Sequence, residues 1–410
     1  MIRKLRTATR VARNAAHMLV EGRLHQHISM TLGTDDLDIA RYWLAHRDAW
    51  NDITLVRAYE REFAKWNGSR FAFAFQAGRK ALSACVIALE LKPGDEVIVP
   101  AFTCVVVANA FRYQEVKPVF CDIELETYGP DIDSVRKHLN SKTKAIVIQH
   151  SFGLVCRDYD AIIDLAQKHD LRIIEDAAHS TGAVFCGSKV GTRGDVGFYS
   201  SEHSKIFNTI VGGMAVTNDI EIAHRLNECG RSWDLPNAAL IETQLLNVEL
   251  DYYRFKHLWS PILYPLAKKR NGGTHIQSTT EAEIRGEKPA EYFTRMPPPI
   301  AALGLNQLAK IDRYNAIRRS TAKRWDAWCW ERGYKSPTVV HGSEPVYLRY
   351  PVRVDERMKL DTSWAKEQLG VELGVWFTAN LHPSLMLDGY PRADLAVRQC
   401  VNFPTILYDK

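Results

Sequence analysis

LRIIEDAAHSTGAVFCGSKVGTRGDVGFYSSEHSKIFNTIVGG, residues 171–213, decides the fold. It begins with an apolar run, Leu171-Arg172-Ile173-Ile174, which reads as a buried strand of a parallel sheet. Glu175 and Asp176 close that strand, at the carboxyl end where open α/β sheets place their ligand groups. Residues 196–200 read as a second strand and deliver Ser200, Glu202, His203 and Lys205. Val211-Gly212-Gly213 then turns the chain into a third strand that runs to Thr217.

A carboxylate at a strand end can hold a pyridinium nitrogen protonated. A lysine on a nearby loop can form a Schiff base with an aldehyde once desolvation or positive charge lowers its pKa. Together they are the usual protein side of pyridoxal phosphate (PLP) chemistry, in which the cofactor ring is the electron sink. A strand-end Asp also serves as a helix cap, and a loop Lys as a solvated surface charge, so spacing alone leaves both readings open.

Working outward, residues 71–75 alternate strictly (FAFAF), and Gln76-Ala77-Gly78-Arg79-Lys80 turns that strand into a helix. A Gly turn entering a helix presents unpaired backbone N–H groups to an anion. Residues 93–100 (PGDEVIVP) read as turn and strand, with Ala101-Phe102-Thr103-Cys104 opening a helix. Strands at 116–121 and 145–149 alternate with helices at 131–139 and 160–169, the βαβ rhythm of a parallel sheet covered on both faces. Two helices precede it between residues 36 and 66, and a strand (346–354) and helix (361–369) follow late in the chain.

The chain has 410 residues, 46% hydrophobic and 25% charged, which suits one large and one smaller domain. No run of 18 uncharged apolar residues suggests a transmembrane helix, and the N-terminus lacks the apolar core of a secretory signal. Eight cysteines without a CxxC pair read as reduced thiols of a cytoplasmic protein, with no metal site expected. The net charge of +5 is too small to imply nucleic-acid binding, and all of it lies in residues 1–30. Residues 2–22 read as a basic amphipathic helix, suited to a subunit contact or weak attachment to the inner face of a membrane. An aromatic-basic stretch at 252–270 suits an interface, a lid or a membrane surface; its two prolines should break any long helix. The polar stretch from there to Lys288 reads as a mobile loop.

EDAAHS, the Gly-rich segment, the aromatic-Ser strand, Lys205 and the GG turn together resemble the DegT/DnrJ/StrS sugar-nucleotide aminotransferases, which are fold-type-I PLP enzymes. The resemblance runs from about residue 35 to the C-terminus. It implies an α/β fold: a large domain (35–292) with a mostly parallel sheet covered by helices, and a smaller C-terminal α+β domain (293–410). Residues 1–34 stand outside it as an extension, and 231–292 match it poorly, as an insertion or lid. Lys205 would be the lysine that carries PLP, Asp176 the partner of the ring nitrogen, His179 the contact to the ring hydroxyl and Ser200 a phosphate ligand.

The resemblance also marks departures. The phosphate turn usually reads Ser-Gly-Thr, whereas here it is Ala77-Gly78-Arg79, with Arg79 or Lys80 in place of the hydroxyl. The ring-stacking slot holds Cys104, with Phe102 two residues earlier. An Asn that crosses the dimer in relatives is Phe293 here, which leaves Arg295 or Arg79 to supply the contact. Asp122 reads as structural and His150 as lining the site. The implied activity moves an amino group from an amino acid, L-glutamate first, to a keto-sugar, by family habit nucleotide-linked, in a homodimer serving amino-sugar or surface-polysaccharide synthesis. Alternatives are a PLP-dependent deoxysugar dehydratase, in which a residue such as His replaces the lysine, and a non-catalytic regulatory protein of the same fold.

Overall fold

The computed structural model describes residues 30–255, 260–270, 276–383 and 385–407. The basic helix expected at 2–22 lies outside them. Two helices, α1 (Thr34–Ala45) and α2 (Thr54–Asn67), lead in; α2 stops at Gly68, whose φ of 81° ends a helix without Cβ strain. There follow β1 (Phe71–Phe75), α3 (Gly78–Ala88), β2 (Glu96–Pro100), α4 (Val105–Arg112), β3 (Lys117–Cys121) and α5 (Ile132–His138). Next come β4 (Thr143–Gln149), α6 (Tyr159–Lys168), β5 (Arg172–Asp176), β6 (Val196–Ser200) and β7 (Gly213–Thr217).

The seven strands form one sheet in the order β1-β7-β6-β5-β4-β2-β3. Only β7 runs against the others. Period-two alternation divides the sheet's side chains between two cores. Phe73, Phe75, Val97, Val99, Val147 and Ile174 pack with α3 and α4 on one face. Ala72, Ala74, Ile98, Ile146, Ile148 and Ile173 pack with α2 and α6 on the other. Burial on both faces is why these strands read as apolar runs.

The remaining elements are α7 (Ile220–Ser232), α8 (Ala238–Phe255), α9 (Ser260–Arg270), α10 (Glu281–Ile284), α11 (Pro298–Leu308) and α12 (Ile311–Arg332). After them an antiparallel pair, β8 (Tyr350–Arg353) and β9 (Cys400–Phe403), packs its Phe403 on Trp325 and Trp328 of α12. The late strand is thus shorter than expected, and the late helix covers Ser363–Leu369. Among the described residues of 252–270, α8 ends at Phe255 and α9 is a separate 11-residue helix from Ser260, with Pro265 inside it. This proline lies one turn past the helix start, so only the bond to the carbonyl of Pro261 is lost.

Because six strands are co-directional, the ends of β1, β2, β4, β5 and β6 share one edge with the start of β7. Gln149 lies in register with Asp176, and Ser200 with Gly213. A Cβ on Gly213 would collide with the carbonyl of Ala77, and one on Gly78 would stand 2.8 Å from Ser200 Cβ. These two glycines let the β1–α3 turn lie directly on the sheet edge. Gly213→Ala should therefore destabilise the protein by about 2 kcal/mol or more. Gly230→Ala, in α7 with open space around it, should stabilise it by about 0.5–1 kcal/mol. Denaturant unfolding of the two variants checks the pair.

Candidate active site

A cavity of about 580 Å³ opens at this edge. Of the residues expected at the site, Gly78, Arg79, Cys104, Asp176, His179, Ser200 and Lys205 line it. Phe102, Arg295 and His150 do not. Phe102 is fully buried on the far side of its segment, against Tyr128, Phe152 and Phe377. Arg295 pairs its backbone with Phe75, and among the described residues its buried Nε has no hydrogen-bond partner. His150 uses both ring nitrogens beneath the sheet edge: Nε2 lies 3.3 Å from Glu175 Oε2 and Nδ1 accepts the Cys156 N–H. Glu175 also accepts backbone N–H groups of Gly191, Arg193 and Gly194, so it braces a loop. Asp122 is structural, accepting the N–H groups of Ile123 and Ala393 and pairing with Arg392.

Asp176 is buried, and its Oδ1 accepts the Ala178 N–H at 3.0 Å. Burial raises its pKa to about 6, against the smaller opposing effects of that bond and the Lys205 charge. Two pK units correspond to roughly 3 kcal/mol against the ionised form. Among the described residues no cation lies within ion-pair distance of it. His179 is held neutral, first by burial and then by the Lys205 charge. Its Nδ1 faces the Phe152 N–H at 3.4 Å, which assigns the ring proton to Nε2. Phe377 stacks on it at 6.2 Å, with 26° between the rings.

The start of α3 carries two cations, both engaged. Arg79 pairs with Glu283 at 2.5 Å and donates to the Ser278 carbonyl at 2.8 Å. Lys80 Nζ donates to Gln76 and to Thr294 Oγ1, and burial, then Arg79, lower its pKa to about 7. Glu202 accepts from Ser278 Oγ at 2.5 Å and pairs with His203 at 2.9 Å. Burial opposes charge on both, but their pairing outweighs it: Glu202 stays well below the usual carboxylate range and His203 rises to about 9.

Residues 276–288, expected as part of a mobile loop, are thus pinned across the mouth of the cavity. Asn247 accepts the Ile276 N–H, Asn109 donates to Glu283 O and Tyr113 to Glu287 O. Sequence reasoning also missed the wall formed by Trp376, Phe377 and His382. Pairing of Leu381 with Thr103 and His382 with Cys104, parallel and in register, brings that segment in.

The sequence matches the model of the DegT/DnrJ/EryC1/StrS aminotransferase family over residues 39–249 and 264–406. The chain belongs to this family. It is 28% identical over 334 residues to the GDP-perosamine synthase of Caulobacter vibrioides, covering 81% of this chain and 77% of that one. It is 41% identical over 171 residues to the UDP-N-acetyl-3-dehydro-alpha-D-glucosamine 3-aminotransferase of Acidithiobacillus ferrooxidans, covering 42% of this chain and 46% of the relative. The fold is that of the E. coli GDP-4-keto-6-deoxy-D-mannose-3-dehydratase solved with hydrated PLP, at TM-score 0.70 and 21% identity over 93% of this chain and 95% of that one. The family's cofactor is PLP and its chemistry transamination. Among the described residues, no helix is long and apolar enough to cross a membrane.

The residues present fit PLP. A buried carboxylate without a cation matches a ring N–H⁺, which would offset the cost of its ionisation. The N–H groups of the first turn of α3 and the Ser200 hydroxyl suit a phosphate. The cavity is large enough for a cofactor and a substrate. The fit has a pH signature. An ionised Asp176 would hold the ring proton, so PLP affinity should fall as the carboxyl protonates below about pH 6. Asp176→Asn should bind PLP more weakly and lose that dependence. PLP titrations between pH 5 and pH 8 check both.

Proposed function

We propose that this enzyme transfers an amino group from an amino acid, L-glutamate first, to a keto-sugar linked to a nucleotide, within amino-sugar or surface-polysaccharide synthesis. The observation that carries the reading is the meeting of Lys205, Asp176 and the α3 turn in one cavity. The named activities of the relatives supply the sugar class.

When bound, PLP supplies an electron sink for the pair left by the broken Cα–H bond. Lys205 would bond the cofactor through Nζ and, once released, hold and move the transferred proton at that atom. Asp176 would keep the proton on the ring nitrogen through a charge-assisted hydrogen bond. The Nε2–H of His179 would orient the ring oxygen, while Ser200 Oγ and the α3 amides hold the phosphate. Cys104, neutral because burial raises its thiol, offers the ring a small apolar contact. Residues 276–288 keep water out.

A sugar dehydratase would need another residue where Lys205 stands. His203 does not supply it, because it is turned to Glu202 and Asp251. Lys205→Ala should abolish PLP's lysine-linked absorbance band and lower amination at least about a thousandfold, with little change in Tm. Spectra and product mass spectrometry read this out. A variant that still aminates would contradict the assignment.

A further inference from the structure

α8 presents two faces. Ile241, Leu245 and Val248 go into the core beneath the sheet. Leu240 and Gln244, one turn apart, line the cavity. Gln244 is 1% exposed, and among the described residues neither its Oε1 nor its Nε2 has a hydrogen-bond partner. A buried amide with both ends unmatched is rare in a native protein and marks a place where something else bonds. Asn247, three residues on, anchors Ile276 at 3.1 Å, which brings the closing segment beside it. Leu240, Ile276 and Val211 line the cavity with it, so apolar surface is available in the same cavity.

Most charged groups of the cavity are otherwise engaged, Lys80 by Gln76 and Thr294. Arg79 is held by Glu283, Glu202 by His203, and Lys205 and Asp176 belong to the reaction proposed above. A neutral ligand edge that both donates and accepts suits an isolated amide, and the C–H face of a ring suits the apolar side chains around it. A sugar ring offers both.

We propose that Gln244 sets acceptor specificity by hydrogen bonding, through Oε1 and Nε2, to hydroxyl groups on the ring of the keto-sugar. The inference rests on the aminotransferase reading, and its test separates the two. The holoenzyme, wild type and Gln244→Leu, is mixed with L-glutamate and the spectral change of the donor half-reaction is timed. Amination of two probes, a UDP-linked 3-keto hexosamine and a GDP-linked 4-keto-6-deoxyhexose, is then measured at steady state.

Gln244→Leu should keep the donor rate within about twofold and lose about ten- to a hundredfold in kcat/KM for the acceptor. Removing an unmatched buried amide should leave Tm equal or higher; if the leucine variant does not fold, Gln244→Met takes its place. Equal losses in both half-reactions, or an unchanged acceptor kcat/KM, overturn the proposal. So does a wild-type enzyme that completes the donor step but aminates neither probe. A wild-type holoenzyme that responds to no amino donor instead defeats the aminotransferase reading itself.

Discussion

A carboxylate buried at the end of a parallel strand disfavours its own ionisation, and the site is arranged around that constraint at Asp176. Its pKa of about 6 in the protein alone makes the strand end a place where a ring N–H⁺ is worth more than it would be in water. The Lys205 charge eases the cost only in part, and among the described residues no cation pairs with the carboxylate, which suits it to a cationic ring N–H⁺. Position does the rest. Six co-directional strands end along one edge, so groups far apart in sequence, from Gly78 to Lys205, converge without any loop having to travel far.

Closure of that edge is electrostatic as much as steric. Residues 276–288 are fastened at Arg79 and Glu202, both of which line the cavity, and Glu283 is almost wholly buried where it meets Arg79. Ion pairs with buried members hold geometry at the cost of desolvation. Here the geometry held is the mouth of the cavity. The same contacts turn Arg79 toward the closing segment, so in the proposed reading the phosphate at the turn would fall to backbone N–H groups and Ser200.

What the sequence made legible was local. Asp176, Ser200 and Lys205 stand at fixed offsets from strand ends, and alternation in FAFAF placed Phe73 and Phe75 on one face. Phe102 and Cys104 show the limit. Both follow the end of β2, and only packing against Phe377 decides that the phenylalanine turns to the core while the thiol faces the cavity. His150 was misread for a similar reason, since Glu175 and the Cys156 amide claim its nitrogens. Gln244 and the wall of Trp376, Phe377 and His382 come from segments well separated in sequence from the strand ends, joined by contacts such as His382 with Cys104 that no local pattern encodes.

Among the described residues two lysines line the cavity, which makes the central claim directly testable. Lys80 is the chemical rival of Lys205, since burial brings its pKa to about 7 and exposes a nucleophilic amine near neutrality. Lys80 is tethered by Gln76 and Thr294, whereas Lys205 is the lysine whose charge acts on Asp176, the carboxylate proposed to serve the ring. Borohydride reduction of the PLP-loaded enzyme, followed by peptide mapping, identifies the lysine that carries the cofactor. The label is expected on Lys205; a label on Lys80 would contradict the assignment.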